Sequence, residues 1–267
     1  MYCRKYIKSK IKFLKHPSPF RRILSPKEAQ SVAQAINSAF TTNVTSSDVQ
    51  KVAKIFRKFE KKMIGRIAGD IDDHIFYYFM VLSSVEIGGD SAIHGEIGVL
   101  FGGSLLMLLH ALNRARSSRK AVAIDSFQGY YGTSLDPVTK LPVTIENVEY
   151  NIRRFKYDRK QVLLIRAASE STQALERVAN FRFASLWIDG DHSYEGVKRD
   201  WENYSQLIVP GGYIFIDNYH DLNPPYPGID RFIDDELLIN LSDWEMVTVF
   251  GRNIVFKKVC MGNLGSD

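Results

Sequence analysis

Gly95-Glu96-Ile97-Gly98-Val99-Leu100-Phe101-Gly102-Gly103-Ser104 runs without a break into Leu105-Leu106-Met107-Leu108-Leu109. An apolar strand stops, a glycine-rich turn follows, and an apolar helix begins. Glycine in such a turn lets a ligand approach the backbone where a Cβ would obstruct it. The spacing supplies only Gly98 and then Gly102 or Gly103, so the GxGxxG of a dinucleotide-binding turn is absent. No GK[ST] follows, which excludes a P-loop. Taken alone, the segment is also compatible with an ordinary strand-to-helix loop.

Outward from this turn, short β-branched or apolar runs alternate with helical segments, the signature of a mostly parallel sheet with helices on both faces. Strands are expected near 93–98, 120–125, 161–166, 184–189 and 211–217. A closing pair, 244–250 and 253–258, joins across Gly251-Arg252 as an antiparallel hairpin. Helices are expected near 103–115, 145–155, 171–179, 194–208 and 228–239, with Val197, Trp201, Tyr204 and Ile208 on one face of the fourth.

Before the sheet, Ser25-Pro26-Lys27-Glu28 has the form of a capping box with proline at the first helical position, predicting a helix to about Phe40. A second is expected from about Ser47 to Ile64, with Val49, Val52, Phe56, Phe59 and Met63 on one apolar face. These helices are expected to cover the active-site edge of the core. The chain thus divides into a basic leader (1–24), an N-terminal helical extension (25–84) and the α/β domain (85–260).

The 267 residues suit one generous α/β domain, and 45% hydrophobic with 24% charged residues are ordinary for a globular protein. Residues 1–27 hold nine Lys or Arg and no acid, leaving 26 basic against 30 acidic residues in the body. Positive charge confined to a tail argues against a nucleic-acid enzyme, whose basic residues face phosphate. In the leader, Cys3, Ile7, Ile11 and Leu14 fall at helical spacing beside lysines. It reads either as a helix lying on an anionic membrane surface or partner, or as a frayed tail ended by Pro17 and Pro19. Cys3 and Cys260 form no CxxC or zinc-like pattern. With no long apolar run and no secretory signal core, a cytoplasmic protein is expected, membrane-peripheral on the first reading of the leader. Assembly into a homo-oligomer is left open.

Chemistry concentrates at three further strand ends. Lys120-Ala121-Val122-Ala123-Ile124-Asp125 ends in a carboxylate able to accept both hydroxyl hydrogens of a ribose, or in an ordinary surface acid. Leu186-Trp187-Ile188-Asp189-Gly190-Asp191-His192-Ser193 packs two acids and a histidine into four positions. The strand Tyr213-Ile214-Phe215-Ile216 closes on Asp217-Asn218. Adjacent strands ending in Asp189 and in Asp217-Asn218 would converge at the carboxyl edge of the sheet, and two carboxylates with an amide oxygen suit a hard cation such as Mg²⁺. Helix capping is the plainer account of these acids, but two acid-bearing strand ends with a histidine are more than capping needs, and Asp191 is ambiguous between a cap, a ligand and a group that supports the ligands. His192 is the natural general base, with His220 the other candidate. The Tyr- and Gly-rich stretch from Gln128 to Thr144 is long for a connection, either a lid that shapes substrate choice or a surface excursion.

The turn Glu96–Ser104 resembles the E/DxGxxxGxS turn of class I S-adenosylmethionine-dependent methyltransferases. The string DGDHSYEGVKRDW…PGGYIFIDN resembles a bacterial family of sugar and natural-product O-methyltransferases (methyltransferase family 24 type). The likeness extends over roughly residues 85–258. It implies a Rossmann-like, seven-stranded, mostly parallel sheet with a C-terminal antiparallel hairpin. It also implies S-adenosylmethionine as cofactor, held by Glu96, Gly98, Gly102, Ser104, Asp125, Ser169 and Asp189, with Asp125 on the ribose and Ser169 at the adenine edge. Asp189, Asp217 and Asn218 are similar to the metal site of catechol O-methyltransferase, and His192 stands where those enzymes carry a basic lysine. The expected reaction is methyl transfer to a hydroxylated small molecule. Rivals are a metal-independent methyltransferase, a nicotinamide oxidoreductase, whose fingerprint fails, and a non-catalytic membrane- or partner-binding protein.

Overall fold

The computed structural model describes residues 19–129, 132–222 and 226–259. The leader's helical pattern, Tyr130-Tyr131 and Cys260 lie outside them. Strands form wherever a short apolar run meets a turn: β1 (Ile93–Ile97), β2 (Ala121–Asp125), β3 (Val162–Arg166), β4 (Phe183–Ile188), β5 (Ile208–Asp217), β6 (Trp244–Phe250) and β7 (Asn253–Lys258). They build one sheet in the order β3-β2-β1-β4-β5-β7-β6. The first five pair in parallel, and β7 runs antiparallel to both β5 and β6. The chain winds outward in one direction from β1 and in the other from β4. The crevice between their carboxyl ends is therefore the topological switch point.

The extension begins as expected. In α1 (Pro26–Phe40), Ser25 Oγ accepts the Glu28 N–H at 3.2 Å and Glu28 Oε2 accepts the Ser25 N–H at 2.7 Å. The second helix, α2 (Ser46–Lys62), carries its own capping box, Thr45 with Asp48. A third, α3 (Ile71–Ser84), has no counterpart in the sequence reading. It is buried on nearly every side, so it lacks the one-sided apolar stripe that betrays a surface helix.

The remaining helices are α4 (Gly103–Arg114), α5 (Ile145–Arg154), α6 (Thr172–Val178), α7 (Tyr194–Tyr204) and α8 (Pro227–Phe232), the last continued by a π turn, Ile233–Leu237. The expected face running from Val197 to Ile208 is cut short. Helix α7 stops at Tyr204, a 3₁₀ turn follows, and Ile208 opens β5. Alternation along the strands splits the interior in two: Ala121 and Ala123 face one core with α1–α5, Val122 and Ile124 the other with α6–α8. The extension is thus an outer layer on one face of the sheet, with Phe76 stacked on Phe250 at 4.4 Å and Phe40 edge-on to Tyr213 at 5.5 Å. Among the described residues no helix is long and apolar enough to cross a membrane.

Candidate active site

Carboxyl ends of β1, β2, β3, β4 and β5 open into a cavity of about 490 Å³ at the switch point. Gly98, Ser104, Asp125 and Ser169 lie in its wall, as do Asp189, His192, Asp217 and Asn218. Gly102 and Glu96 do not. Gly102, at φ +77°, is the N-cap of α4. Glu96 is 1% exposed and pairs in register with Trp187, on the face covered by α3. Neither of its carboxyl oxygens has a hydrogen-bond partner. Burial drives its pKa well above the usual carboxylate range, and the nearby Asp189 and Asp125 carboxylates add to this. The adjacent Ser104 hydroxyl opposes the shift without making a bond of ordinary geometry.

The glycine turn is stapled by Asp125. Its Oδ2 accepts the N–H groups of Val99 (2.8 Å) and Leu100 (3.1 Å), and its Oδ1 that of Phe127 (2.7 Å). Burial raises its pKa, and the three N–H bonds oppose the rise. An ionised carboxylate offers about four acceptor sites. Asp125 can therefore hold the turn and still accept from a ribose hydroxyl. At the end of β3, Ser169 Oγ donates to Asp200 Oδ1 at 2.5 Å, and the Tyr204 hydroxyl donates to the Ser169 carbonyl at 2.7 Å.

Asp200, on α7, stands in the motif string but was given no role, because between Arg199 and Trp201 it reads as an ordinary helix-surface acid, whereas it falls on the buried face with Val197, Trp201 and Tyr204. It is 2% exposed, its Oδ2 lacks a partner, and burial pushes its pKa up to about 7. Raised from the ordinary value near 4, this group costs no stability below that value, an increasing amount from pH 4 to 7, and a constant amount above. Asp200→Asn is accordingly expected to stabilise the fold by on the order of 2 kcal/mol at pH 8 and by little at pH 4.5. Thermal melts at the two pH values check this, and a gain independent of pH would contradict it.

At the chemical end, His192 Nε2 lies 3.1 Å from Asp189 Oδ1, and the imidazole is packed edge-on to Tyr226 at 4.3 Å. Asp191 supports the start of α7, accepting the N–H and hydroxyl of Ser193, which in turn caps Gly196. Asp217 and Asn218 are each 8% exposed. Asn218 adopts φ +64°, and its Nδ2 donates to Asp221 Oδ2 at 3.1 Å, which commits the amide nitrogen and keeps the oxygen as the ligand-capable atom. Burial raises the Asp217 pKa well above its usual range, and the Asp189 and Asp73 carboxylates raise it further. Two carboxylates in such repulsion, hard oxygen donors beside an amide oxygen, fit a divalent cation by donor type. Among the described residues no group of three His, Cys, Asp or Glu side chains is arranged to hold a metal, so the fit rests on the amide as third donor. His220 is not in the cavity wall and lies 3.6 Å from Asp234.

Two arginines complete the cavity, and the sequence reading assigned neither to it. Arg252, read only as a hairpin turn, donates to Asp221 Oδ2 at 2.6 Å and lies 3.4 Å from Asp70. Burial would lower its pKa, but Asp217, Asp221, Asp70 and Asp73 together hold it above the usual value. Arg66 comes from the segment between α2 and α3. That connection, rather than the helices themselves, supplies the extension's main share of the wall: Arg66, Ile67, Ala68 and Gly69, with His74 from α3. Burial lowers the His74 pKa to about 4, so its imidazole is neutral. Asn151 clamps the segment, accepting the Ile64 N–H at 2.7 Å and donating to the carbonyls of Ile64 and Phe101. The long insertion is in part an ordered turn. Leu135 bridges Pro142, and Asp136 accepts the Thr139 N–H and hydroxyl.

Residues 96–219 match the family model described as Methyltransferase domain. An uncharacterised protein of Acanthamoeba polyphaga mimivirus is 23% identical over 167 residues, 61% of this chain and 68% of its own length. Among solved structures, the O-methyltransferase NovP superposes with a TM-score of 0.57 at 18% identity, covering 86% of this chain and 98% of its own. CalS11, a TDP-rhamnose 3′-O-methyltransferase of calicheamicin biosynthesis, gives 0.53 at 14% over 88% and 95%. The S-adenosylhomocysteine-bound methyltransferase PaMTH1 of Podospora anserina gives 0.52 at 14% over 88% and 97%. The match over residues 96–219 and these superpositions give the chain a Rossmann-like methyltransferase fold.

Proposed function

We infer that this protein transfers the methyl group of S-adenosylmethionine to a hydroxyl of a small molecule, a sugar, phenol or other natural product, and that Mg²⁺ or a similar hard cation assists. The observation that carries this is the contact of Asp189 with His192 at the switch point, in the same cavity wall as Gly98 and Asp125. Donor and acceptor ends of one displacement then lie side by side. Among the structural neighbours, CalS11 acts on a sugar hydroxyl, which favours that acceptor class.

When bound, S-adenosylmethionine would supply a sulfonium methyl for in-line displacement by the acceptor oxygen, the carbon–sulfur electron pair leaving with sulfur as S-adenosylhomocysteine. His192, whose Nε2–H is turned to Asp189 Oδ1, takes the hydroxyl proton at its other ring nitrogen, Nδ1, and Asp189 orients the imidazole and stabilises the imidazolium that forms. Asp125 and the Gly98 turn fix the ribose and methionine ends, and Ser169 lies toward the base. Much of the rate gain comes from this alignment. Asp189, Asp217 and Asn218 would hold the cation. When bound, it supplies Lewis-acid charge that lowers the pKa of the acceptor hydroxyl.

Calorimetry of S-adenosylmethionine binding with wild type and Asp125→Ala, each with Mg²⁺ and with chelator, tests the reading. The expected result is clear binding by wild type, weakened about tenfold or more in the variant through loss of charge-assisted hydrogen bonds. No binding by wild type in either condition would overturn it.

A further inference from the structure

The cavity wall is rich in acids: Asp125, Glu170, Asp189, Asp191, Asp217 and Asp221 all line it. Its permanent cations are Arg66 and Arg252. Arg252 sits at the acceptor end against Asp221 and Asp70. Arg66 sits over the glycine turn. A Cβ on Gly65 would meet the Phe101 ring, and one on Gly103 would lie 2.8 Å from the Ile67 side chain, so the residues on either side of Arg66 pack directly on that turn. The Ile67 N–H is fixed at 2.8 Å by the buried Glu60 carboxylate.

Arg66 is also held from the insertion. Its Nε and NH2 both lie 3.0 Å from Asp136 Oδ1, while Asp136 Oδ2 is occupied by Thr139. Asp136 is fully buried and the Arg66 side chain is 13% exposed. The guanidinium is therefore anchored along one edge by a carboxylate that is itself immobilised, and it lines the cavity beside the N-terminal turn of α4, where the helix dipole also favours an anion.

Granting that S-adenosylmethionine is the cofactor, its α-carboxylate must enter a space otherwise walled by like charges. We propose that Arg66 is the residue that binds this carboxylate, and that Asp136 positions it, so that the extension and the insertion jointly select the amino-acid end of the cofactor.

The test compares S-adenosylmethionine with decarboxylated S-adenosylmethionine, which differs only in lacking that carboxylate, by calorimetry on the full chain. Wild type is expected to prefer the carboxylate form by about tenfold or more. Arg66→Met should bring the preference to within about twofold, mainly by weakening the carboxylate form. Arg66→Lys should restore part of it, and Asp136→Asn, which leaves the guanidinium present, should retain a preference. A purely structural role for the Arg66–Asp136 pair would weaken both ligands equally in Arg66→Met, and that outcome overturns the proposal, as does a wild type without preference. Wild type that binds neither ligand overturns the cofactor reading itself, and is recognised without any variant.

Discussion

Asp217→Asn is expected to lower kcat for methyl transfer by about 10²–10³-fold, the range seen when one electrostatic contributor to a transition state is removed, while cofactor affinity stays within about threefold. The substitution is isosteric, and the acid's one hydrogen bond, from the Asn218 N–H at 2.8 Å, can still be accepted by the amide oxygen. What is lost is one of two carboxylates at adjacent strand ends, held close enough that Asp189 raises the Asp217 pKa. In the cation-free protein that pair is an electrostatic cost, so the variant should melt no lower than wild type when chelator is present. Activity and stability therefore part company, as at a site whose charges exist for a ligand rather than for the fold. Steady-state kinetics on a hydroxylated acceptor at saturating Mg²⁺, beside chelator melts, check both halves. A variant with unimpaired kcat would place the cation elsewhere or dispense with it. Asp189→Asn should differ by also disturbing His192, which shares its Oδ1.

The strands were legible within about three residues because each is a short apolar run bounded by turn residues, and that pattern survives in any context. The first helix was legible through its cap and the second through its apolar face. Helix α3 was not, because Ile75, Phe76, Tyr77, Tyr78, Phe79 and Met80 are all buried and a helix enclosed on all sides has no periodic signature. The candidate site divides along the same line. Asp125, Asp189, His192, Asp217 and Asn218 stand at strand ends, where position along the chain nearly fixes position in space. Arg66 and Arg252 reach the cavity only because a connecting segment folds over the glycine turn and a hairpin returns along β5. Nothing local to them announces that. Glu96 shows the converse: its motif position suggested ligand contact, yet strand alternation turns its side chain to the face beneath α3.

Gly98→Ala is expected to be among the most damaging single substitutions in the chain, and the reason differs from the one its motif suggests. The turn was expected to need glycine so that a ligand could approach. In the fold, the first atoms a Cβ at Gly98 would overlap are the carbonyl oxygen and carbon of Asp189. The β1 and β4 backbones are tied here by the Asp189 N–H to the Ile97 carbonyl at 2.9 Å, and backbone cannot rotate aside as a side chain can. Gly98 also sits at φ +83°, which costs a residue with a Cβ about 1–2 kcal/mol by itself. With the displacement added, about 3 kcal/mol or more is expected, a fall in Tm of roughly 10 °C for a chain of this size. The functional loss should be larger still. Whatever moves the Asp189 carbonyl moves its carboxylate and His192 with it, and a shift of about 1 Å in a reacting group costs on the order of 10²-fold in rate. Gly89→Ala isolates the backbone component: Gly89 has φ +67° with nothing within 4 Å of a Cβ, so it should cost only about 1 kcal/mol and leave cofactor binding intact. Melting curves and S-adenosylmethionine calorimetry on the two variants separate the contributions. Equal losses would mean that the positive φ alone makes Gly98 a glycine, and that the close approach of β1 to Asp189 carries no part of the site's geometry.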